Sequence, residues 1–420
     1  MRILKLTPAV EKKLLRARHE RDREAERIAG KIIAGVRARG DAALFAYAKK
    51  FDAVELDRKR IWISTSGPYA AYAARSNASR DFLRAIEHAA RNIRRVAEKQ
   101  MPRAWSLEVQ PGVLIAQRVS PIASIGCYIP GGRFSLVSTL LMTAIPAQVA
   151  GASRITVVCP KPNAELLAAA DFLGITQIAR IGGAQAIAAL AYGTQSIPRV
   201  DKIFGPGNRF VTAAKQLVSS DCAIDLPAGP TEAIVLTASG NPKFIAADLL
   251  AQAEHAPDAR SFLVTPSRKL ASAVQLEIAK QLAQLPSSNP AHISTRHTGA
   301  ILLAPNLSAA CSFASRFAPE HLSLPHSTTS ILKKIRASGT IFLGPWSAQP
   351  LGDYISGSNH VLPTGGWARM RGGLSTADFV KCITVQTISR RGFQRLASDA
   401  ITLAGAEGLL AHANVVEVRR

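Results

Sequence analysis

The sequence is poor in the groups that would point to several common kinds of protein. Aromatic residues make up 6% of the 420-residue chain, and its five cysteines (127, 159, 222, 311 and 382) include no CxxC pair. An odd, scattered set is neither a disulfide framework nor a cysteine-based zinc site; it reads as free thiols in a reducing compartment. Any metal is therefore expected on nitrogen and oxygen ligands. No apolar run reaches the ~18 uninterrupted residues that a membrane span needs. The best candidate, residues 136–150, is broken by Ser138, Thr139, Thr143, Pro146 and Gln148. The opening Met-Arg-Ile-Leu-Lys-Leu-Thr-Pro has neither the h-region nor the cleavage site of a secretory signal. A cytoplasmic protein without a membrane partner is the expectation. Also missing are G-x-G-x-x-G and G-x-x-x-x-G-K-S/T, which sets aside a standard dinucleotide fingerprint and a P-loop.

Acid is the other scarcity. The chain carries 29 Asp+Glu against 52 Lys+Arg, a net charge of +23. Residues 1–105 hold 25 basic and 12 acidic side chains, so 25 − 12 = +13 of that excess lies there. Such a balance raises nucleic-acid binding as a question. Yet the basic residues are interleaved with acids and alanines on helix-like stretches such as 11–27, and no nucleic-acid module accompanies them. No specific nucleic-acid partner is expected.

What is present reads as α/β. The first hundred residues suggest helices and a turn at Gly67-Pro68, with Ser79 capping a long amphipathic helix over 80–100. From Gly112 short apolar runs (113–116, 122–129, 155–159, 178–181) alternate with alanine-rich helical stretches, which predicts a doubly wound α/β unit over 112–235. Three turns there are glycine-rich: Pro130-Gly131-Gly132, Gly182-Gly183 and Gly205-Pro206-Gly207-Asn208. Such turns let backbone approach a ligand, and the helix N-termini after them favour phosphate. A second α/β unit follows, then a loop-rich stretch over 344–373 that is too long for a passive connector.

The polar chemistry gathers around Asp248-Leu-Leu-Ala-Gln-Ala-Glu-His255, which places Asp248, Gln252 and His255 at i, i+4 and i+7 on one helical face. Downstream lie Pro319-Glu320-His321, Gly352-Asp353-Tyr354 with Asn359-His360, and Glu407-Gly408 with His412. Gln252, His255, Asp353 and His412 would make a nitrogen and oxygen donor set suited to zinc. Spacing alone does not select these four over His360 or Asp248. Glu320 and His321, being adjacent, point different ways; each can reach one ligand as a general base, or the turn can be structural.

Taken together the motifs resemble the histidinol dehydrogenase family over nearly the whole chain. The residues that carry the likeness are Tyr128-Ile-Pro-Gly-Gly-Arg133, Gly182-Gly-Ala-Gln-Ala-Ile187, Gly205-Pro-Gly-Asn208, Ala228-Gly-Pro-Thr-Glu232 and the 248–255 stretch. They continue through Pro319-Glu-His-Leu322, Gly352-Asp-Tyr354, Asn359-His-Val-Leu-Pro-Thr364, Gly373-Leu-Ser375 and Glu407-Gly-Leu-Leu-Ala-His412. The resemblance implies oxidation of L-histidinol through the aldehyde to L-histidine with two NAD. It implies one zinc per subunit on Gln252, His255, Asp353 and His412. It makes His321 the base of the alcohol step and Glu320 the activator of water. Thr231 and Glu407 would join the zinc ligands and His321 in contacting substrate, and Tyr128, Gln185 and Asn208 would contact NAD. A homodimer is implied, its C-terminal segment completing the partner's site.

The implied architecture is two incomplete, doubly wound Rossmann-like α/β domains with a helical N-terminal arm and a small C-terminal domain. Its expected boundaries are 1–24 for the arm, 25–127 plus 232–374 for the domain carrying zinc and acid–base residues, 128–231 for the NAD-contacting domain, and 375–420 for the dimerisation segment. The chain departs from the family where Thr231 replaces the usual serine, at Phe134–Ser138, and at Ala251 and Ala256. The competing expectations are a paralogous NAD-dependent dehydrogenase of another primary alcohol, an amino or sulfonated diol, and a basic binding protein without catalysis.

Overall fold

The computed structural model describes residues 1–18, 22–66, 80–131, 135–226, 229–326 and 329–420. The turn expected at Gly67-Pro68 and the Ser79 cap lie outside them. The strands, in chain order, are β1 (Arg2–Lys5), β2 (Trp62–Ser64), β3 (Trp105–Gln110), β4 (Val113–Pro121), β5 (Ser124–Tyr128), β6 (Arg154–Val158), β7 (Gln177–Ala179) and β8 (Lys202–Phe204). They continue with β9 (Ala223–Ile224), β10 (Glu232–Leu236), β11 (Arg260–Thr265), β12 (Ala300–Leu303), β13 (His321–Leu324), β14 (Thr340–Leu343) and β15 (Val380–Ile388).

These strands form two six-stranded sheets, ordered β2-β7-β6-β5-β8-β9 and β1-β12-β11-β10-β13-β14, and a three-stranded sheet β15-β4-β3. The second large sheet is parallel throughout; in the first only β2 runs antiparallel, against β7. Every residue of β5 (Ser-Ile-Gly-Cys-Tyr) and of β10 (Glu-Ala-Ile-Val-Leu) is buried. Central parallel strands are covered by helices on both faces and so read as continuous apolar runs rather than alternating ones. Several helices start where short polar side chains satisfy orphan N–H groups. Asn163, Asn208, Asn241, Ser267 and Asn306 all accept a hydrogen bond from their own first turns.

In both large sheets the strand order reverses beside a central strand, between β5 and β8 and between β10 and β13. The α/β expectation holds. Two details differ from it. The apolar run 113–116 belongs to β4, which pairs antiparallel with β3 and β15 instead of entering the parallel sheet. The segment after the arm, expected to join 232–374, builds on the other body: β2 pairs with β7, and helix Arg23–Arg39 packs Ala25, Ala29, Ile32 and Val36 into the core that holds helix Gly183–Tyr192. Part of the expected arm, β1, is an edge strand on β12. Cys127, Cys159, Cys222 and Cys311 are buried free thiols and Cys382 is exposed. Among the described residues no helix is long and apolar enough to cross a membrane.

Candidate active site

Helix Pro242–Ala253 starts at the Asn241 cap, with Pro242 in its first turn where a missing N–H costs nothing. Its apolar side (Ile245, Ala246, Leu249, Leu250, Ala253) packs into the core, and Gln252 is also fully buried. A buried amide needs partners. Gln252 donates through Nε2 to the Thr231 hydroxyl and accepts at Oε1 from Gln349 Nε2 at 2.6 Å. Thr231 in turn donates a hydrogen bond to Glu320 Oε2 at 2.5 Å, and the Glu232 N–H donates to the same oxygen at 2.9 Å. The result is a directed line of donors, Gln349 to Gln252 to Thr231 to Glu320.

This line sits at the amino-terminal ends of two neighbouring strands. Thr231 precedes β10 and Glu232 opens it; Glu320 precedes β13, and His321 is the first residue of β13, in register with Ala233. His321 is 3% exposed and Glu320 8%. The imidazole lies between two carboxylates, with Nδ1 3.8 Å from Glu320 Oε2 and Nε2 3.5 Å from Asp353 Oδ1. Neither ring nitrogen has a hydrogen-bond partner among the described residues. Burial alone would push the His321 pKa down; the charges of Glu320 and Asp353 outweigh it and hold the pKa above the ordinary value. The ring stacks on Phe342, centroids 5.9 Å apart.

Asp353 comes from the short helix Gln349–Tyr354, which lies close to Phe342 because Gly352 has no Cβ; one added there would stand 2.7 Å from the ring. Burial opposes the Asp353 charge, yet His321, with His360 and His255 further off, keeps its carboxyl below the usual range. His360 donates from Nδ1 to the Asp353 carbonyl at 2.9 Å, which leaves Nε2 to accept from the Thr139 hydroxyl at 3.3 Å. It is thus held as a structural link between the Asp353 loop and helix Val137–Ala150. His255 lies just beyond the end of its helix and is exposed; its Nδ1–H donates to the Ala251 carbonyl at 3.0 Å, leaving the Nε2 lone pair free. Asp248 is partly buried on the same helix, and burial alone pushes its carboxyl up to about 6.

Three members of the expected donor set, Gln252, His255 and Asp353, therefore belong to one neighbourhood. His412 and Glu407 do not. Both are exposed on the C-terminal tail, and neither side chain has a hydrogen-bond or ion-pair partner among the described residues. Among those residues no three of His, Cys, Asp and Glu come together as a metal-holding group. The expected set explains this, since one of its donors on this face is an amide and one lies on the tail.

The other expected residues stand at the carboxyl ends of the first large sheet. Tyr128 ends β5 and its hydroxyl accepts from the Gly183 N–H at 3.1 Å. Asn208 caps helix Arg209–Val218. Gln185 is buried and donates to Asp52 Oδ2 at 3.1 Å. Desolvation pushes the Asp52 carboxyl up. Gly205 crosses directly over β5 with φ of 115°, where an added Cβ would stand 2.1 Å from the Tyr128 carbonyl oxygen. Residues 132–134, which include the expected departure at Phe134, and Ala228 of the Ala-Gly-Pro-Thr-Glu motif lie outside the described residues. Sequence reasoning missed Gln349, Phe342, Thr139 and Asp52; none has a motif around it that would have singled it out.

Comparison with known proteins places the whole chain. The histidinol dehydrogenase family model matches residues 15–420. The chain is 43% identical over 406 residues to the histidinol dehydrogenase of Geobacter sulfurreducens, covering 95% of this chain and 94% of that protein. It is 43% identical over 394 residues to that of Salmonella typhi, covering 92% and 89%. A putative histidine biosynthesis bifunctional protein of Photorhabdus laumondii is 43% identical over 402 residues, and the chain spans 49% of its length. The crystal structure of histidinol dehydrogenase from Elizabethkingia anophelis superposes with a TM-score of 0.91 at 36% identity, covering 100% of this chain and 98% of that one. Likeness of sequence and of fold thus runs from the N-terminal arm to the last residue, and on that ground the chain belongs to the histidinol dehydrogenase family.

Proposed function

We propose that the protein oxidises L-histidinol by way of L-histidinaldehyde to L-histidine, using two NAD. The observation that carries this reading is the buried group in which His321 lies between Glu320 and Asp353 while Glu320 is held by Thr231 and the Glu232 N–H. An imidazole and a carboxylate side by side, each with its own partners, suit two successive proton transfers at one substrate carbon.

In the first oxidation His321 takes the proton of the alcohol. Its two buried nitrogens have no hydrogen-bond partner among the described residues, so a lone pair is open to do so, and the flanking carboxylates stabilise the imidazolium that results. In the second oxidation Glu320 draws a proton from water, which adds to the aldehyde carbon and gives the hydrate. NAD would accept the hydride in each oxidation, and a zinc ion would hold the imidazole and amine of the substrate. Gln252, His255 and Asp353 would be three ligands of that zinc, and the donor chemistry fits: an amide oxygen, a free imidazole Nε2 and a carboxylate held in its charged form.

The fourth ligand, His412, and the substrate-contacting Glu407 would come from a second copy of the chain. The terminal helix Leu410–Glu417 buries none of its residues, and the tail leaves Leu403, Leu410 and Val418 exposed. On an arm that must cover apolar surface, a homodimer with shared sites is the economical arrangement. Tyr128, Gln185 and Asn208 would line the NAD side, with Gln185 acting through Asp52. A cytoplasmic setting and the absence of nucleic-acid partners belong to the same reading.

The test is NADH formation from L-histidinol by zinc-loaded and chelator-treated protein side by side. Two NADH per histidine, lost on chelation and restored by zinc, is the expected result. Failure with histidinol, accompanied by turnover of an amino or sulfonated diol, would move the assignment to a paralogous activity.

A further inference from the structure

Arg18 is one basic residue among many in a basic arm, but its surroundings are unlike theirs. Its side chain is wholly buried, as is that of Glu232, with which it forms an ion pair. Nε donates to Glu232 Oε1 at 2.7 Å and Nη2 to Oε2, a fork meeting a carboxylate. Nη1 donates to the Phe317 carbonyl and Nη2 also to the Ala318 carbonyl at 3.3 Å. The guanidinium carbon stands 3.7 Å from the centre of the Phe317 ring.

Every one of these contacts goes to one of two backbone segments. One is the start of β10, where Glu232 supplies the N–H that holds Glu320. The other is the end of helix Leu307–Phe317, where Ala318 takes φ 49° and ψ 67° and turns the chain into Pro319-Glu320-His321. A left-handed conformation is unfavourable for a residue with a Cβ and persists only where its surroundings over-determine it. A cation against the last carbonyls of a helix supplies such a constraint.

We propose that Arg18 is a positioning residue for Glu320 and His321, locking the start of β10 to the turn that launches β13. The proposal rests on the reading of those two residues as the acid–base pair. An arginine is needed because its planar fork spans both segments at once; a lysine delivers the charge to one of them. β1 and helix Pro8–Arg16, with Leu4, Leu6, Val10, Leu14 and Leu15 packed on the core of the second large sheet, bring Arg18 to this point.

Three variants test it: Arg18→Lys, the double change Arg18→Met with Glu232→Met, and Glu320→Gln. Glu232 also faces Arg260, whose Nη1 is 3.6 Å from Oε1, but Arg260 keeps its bond to the Ala17 carbonyl when Glu232 is replaced. Replacing both members of a buried ion pair by apolar side chains often preserves or raises stability, so the double variant keeps a folded protein in hand should Arg18→Lys fail to fold. In the double variant the expected result is an unchanged or raised Tm and a KM for histidinol within about twofold of wild type, with kcat for histidinaldehyde lower by about tenfold to a hundredfold. Folded Arg18→Lys protein should show the same split between KM and kcat. A purely structural ion pair would make activity follow Tm, so wild-type kcat in the double variant, with Glu320→Gln impaired, overturns the proposal alone. Wild-type aldehyde turnover by Glu320→Gln overturns the acid–base reading and the proposal with it.

Discussion

Thr231 accepts a hydrogen bond from Gln252 and donates one to Glu320, so one hydroxyl orders both the amide and the carboxylate. Thr231→Val keeps the volume and leaves both neighbours short of a partner, each at about 1–3 kcal/mol. The expected outcome is a fall in kcat/KM of about tenfold or more, with recovery in Thr231→Ser, read from steady-state kinetics. Asp248 makes a prediction about stability. Its folded pKa of about 6 lies above the unfolded 3.8, so the native state binds the proton more tightly. Stability from this group is therefore present at low pH and falls as pH rises between those values. Asp248→Asn should flatten that slope and add about 1–3 kcal/mol at pH 7, checked by denaturant unfolding at pH 5 and 7. At this scale the sequence was uneven. Glu320-His321 announces itself as two titratable groups in a proline turn, whereas Gln349 carries no charge and Arg18 is hidden among the arm's many basic residues.

The elements were more legible than their partners. Residues 125–128 of β5 and 233–236 of β10 are runs without a charged residue, bounded by turn residues, and burial on both faces is what such runs mean. The run at 113–116 looks alike from inside the sequence, yet β4 pairs with residues 380–388, a relation that no local pattern records. Strand pairing depends on which edge is free, and that is a property of the assembled fold. Gly131, Gly182 and Gly205 of the glycine-rich turns lie hard against other parts of the chain. Gly205 is the strictest of them: Gly205→Ala would set a Cβ 2.1 Å from the Tyr128 carbonyl at a positive φ. We expect it to cost about 2–3 kcal/mol or more, measured as a lowered midpoint in thermal or denaturant unfolding, with weakened NAD binding at the displaced strand end.

For the whole molecule the decisive question is where the tail belongs. The expected donor set was visible as a list of residues, and the resemblance already implied that the C-terminal segment, with His412 and Glu407, serves the partner's site; within their own chain both stand apart from the buried group. If the tail completes a neighbour's site, two inactive proteins should repair each other. A mixed dimer of Glu320→Gln and His412→Asn subunits then contains one site carrying both lesions and one carrying neither. Unfolding the two variants together and refolding them should restore about a quarter of wild-type activity, since about half the dimers are mixed and one of two sites in each is intact. No recovery from a mixture shown to contain mixed dimers would place the tail residues in their own subunit's site.

The pairing of β4 with β15 also bears on how the molecule is made. Pro121 pairs with Val380 and Val113 with Ile388, so a growing chain exposes that edge of β4 until nearly all of it has left the ribosome. β1 waits similarly, since Arg2 pairs with Ala300. At ordinary rates of synthesis the first wait is on the order of ten to fifty seconds. The parallel strands β5 to β8 lie close together in sequence and need not wait. The half-made protein is therefore a first sheet still waiting for Phe379 to stack on Phe204, with an open strand beside it. Chaperone capture or premature association of nascent chains should concentrate on residues 113–121.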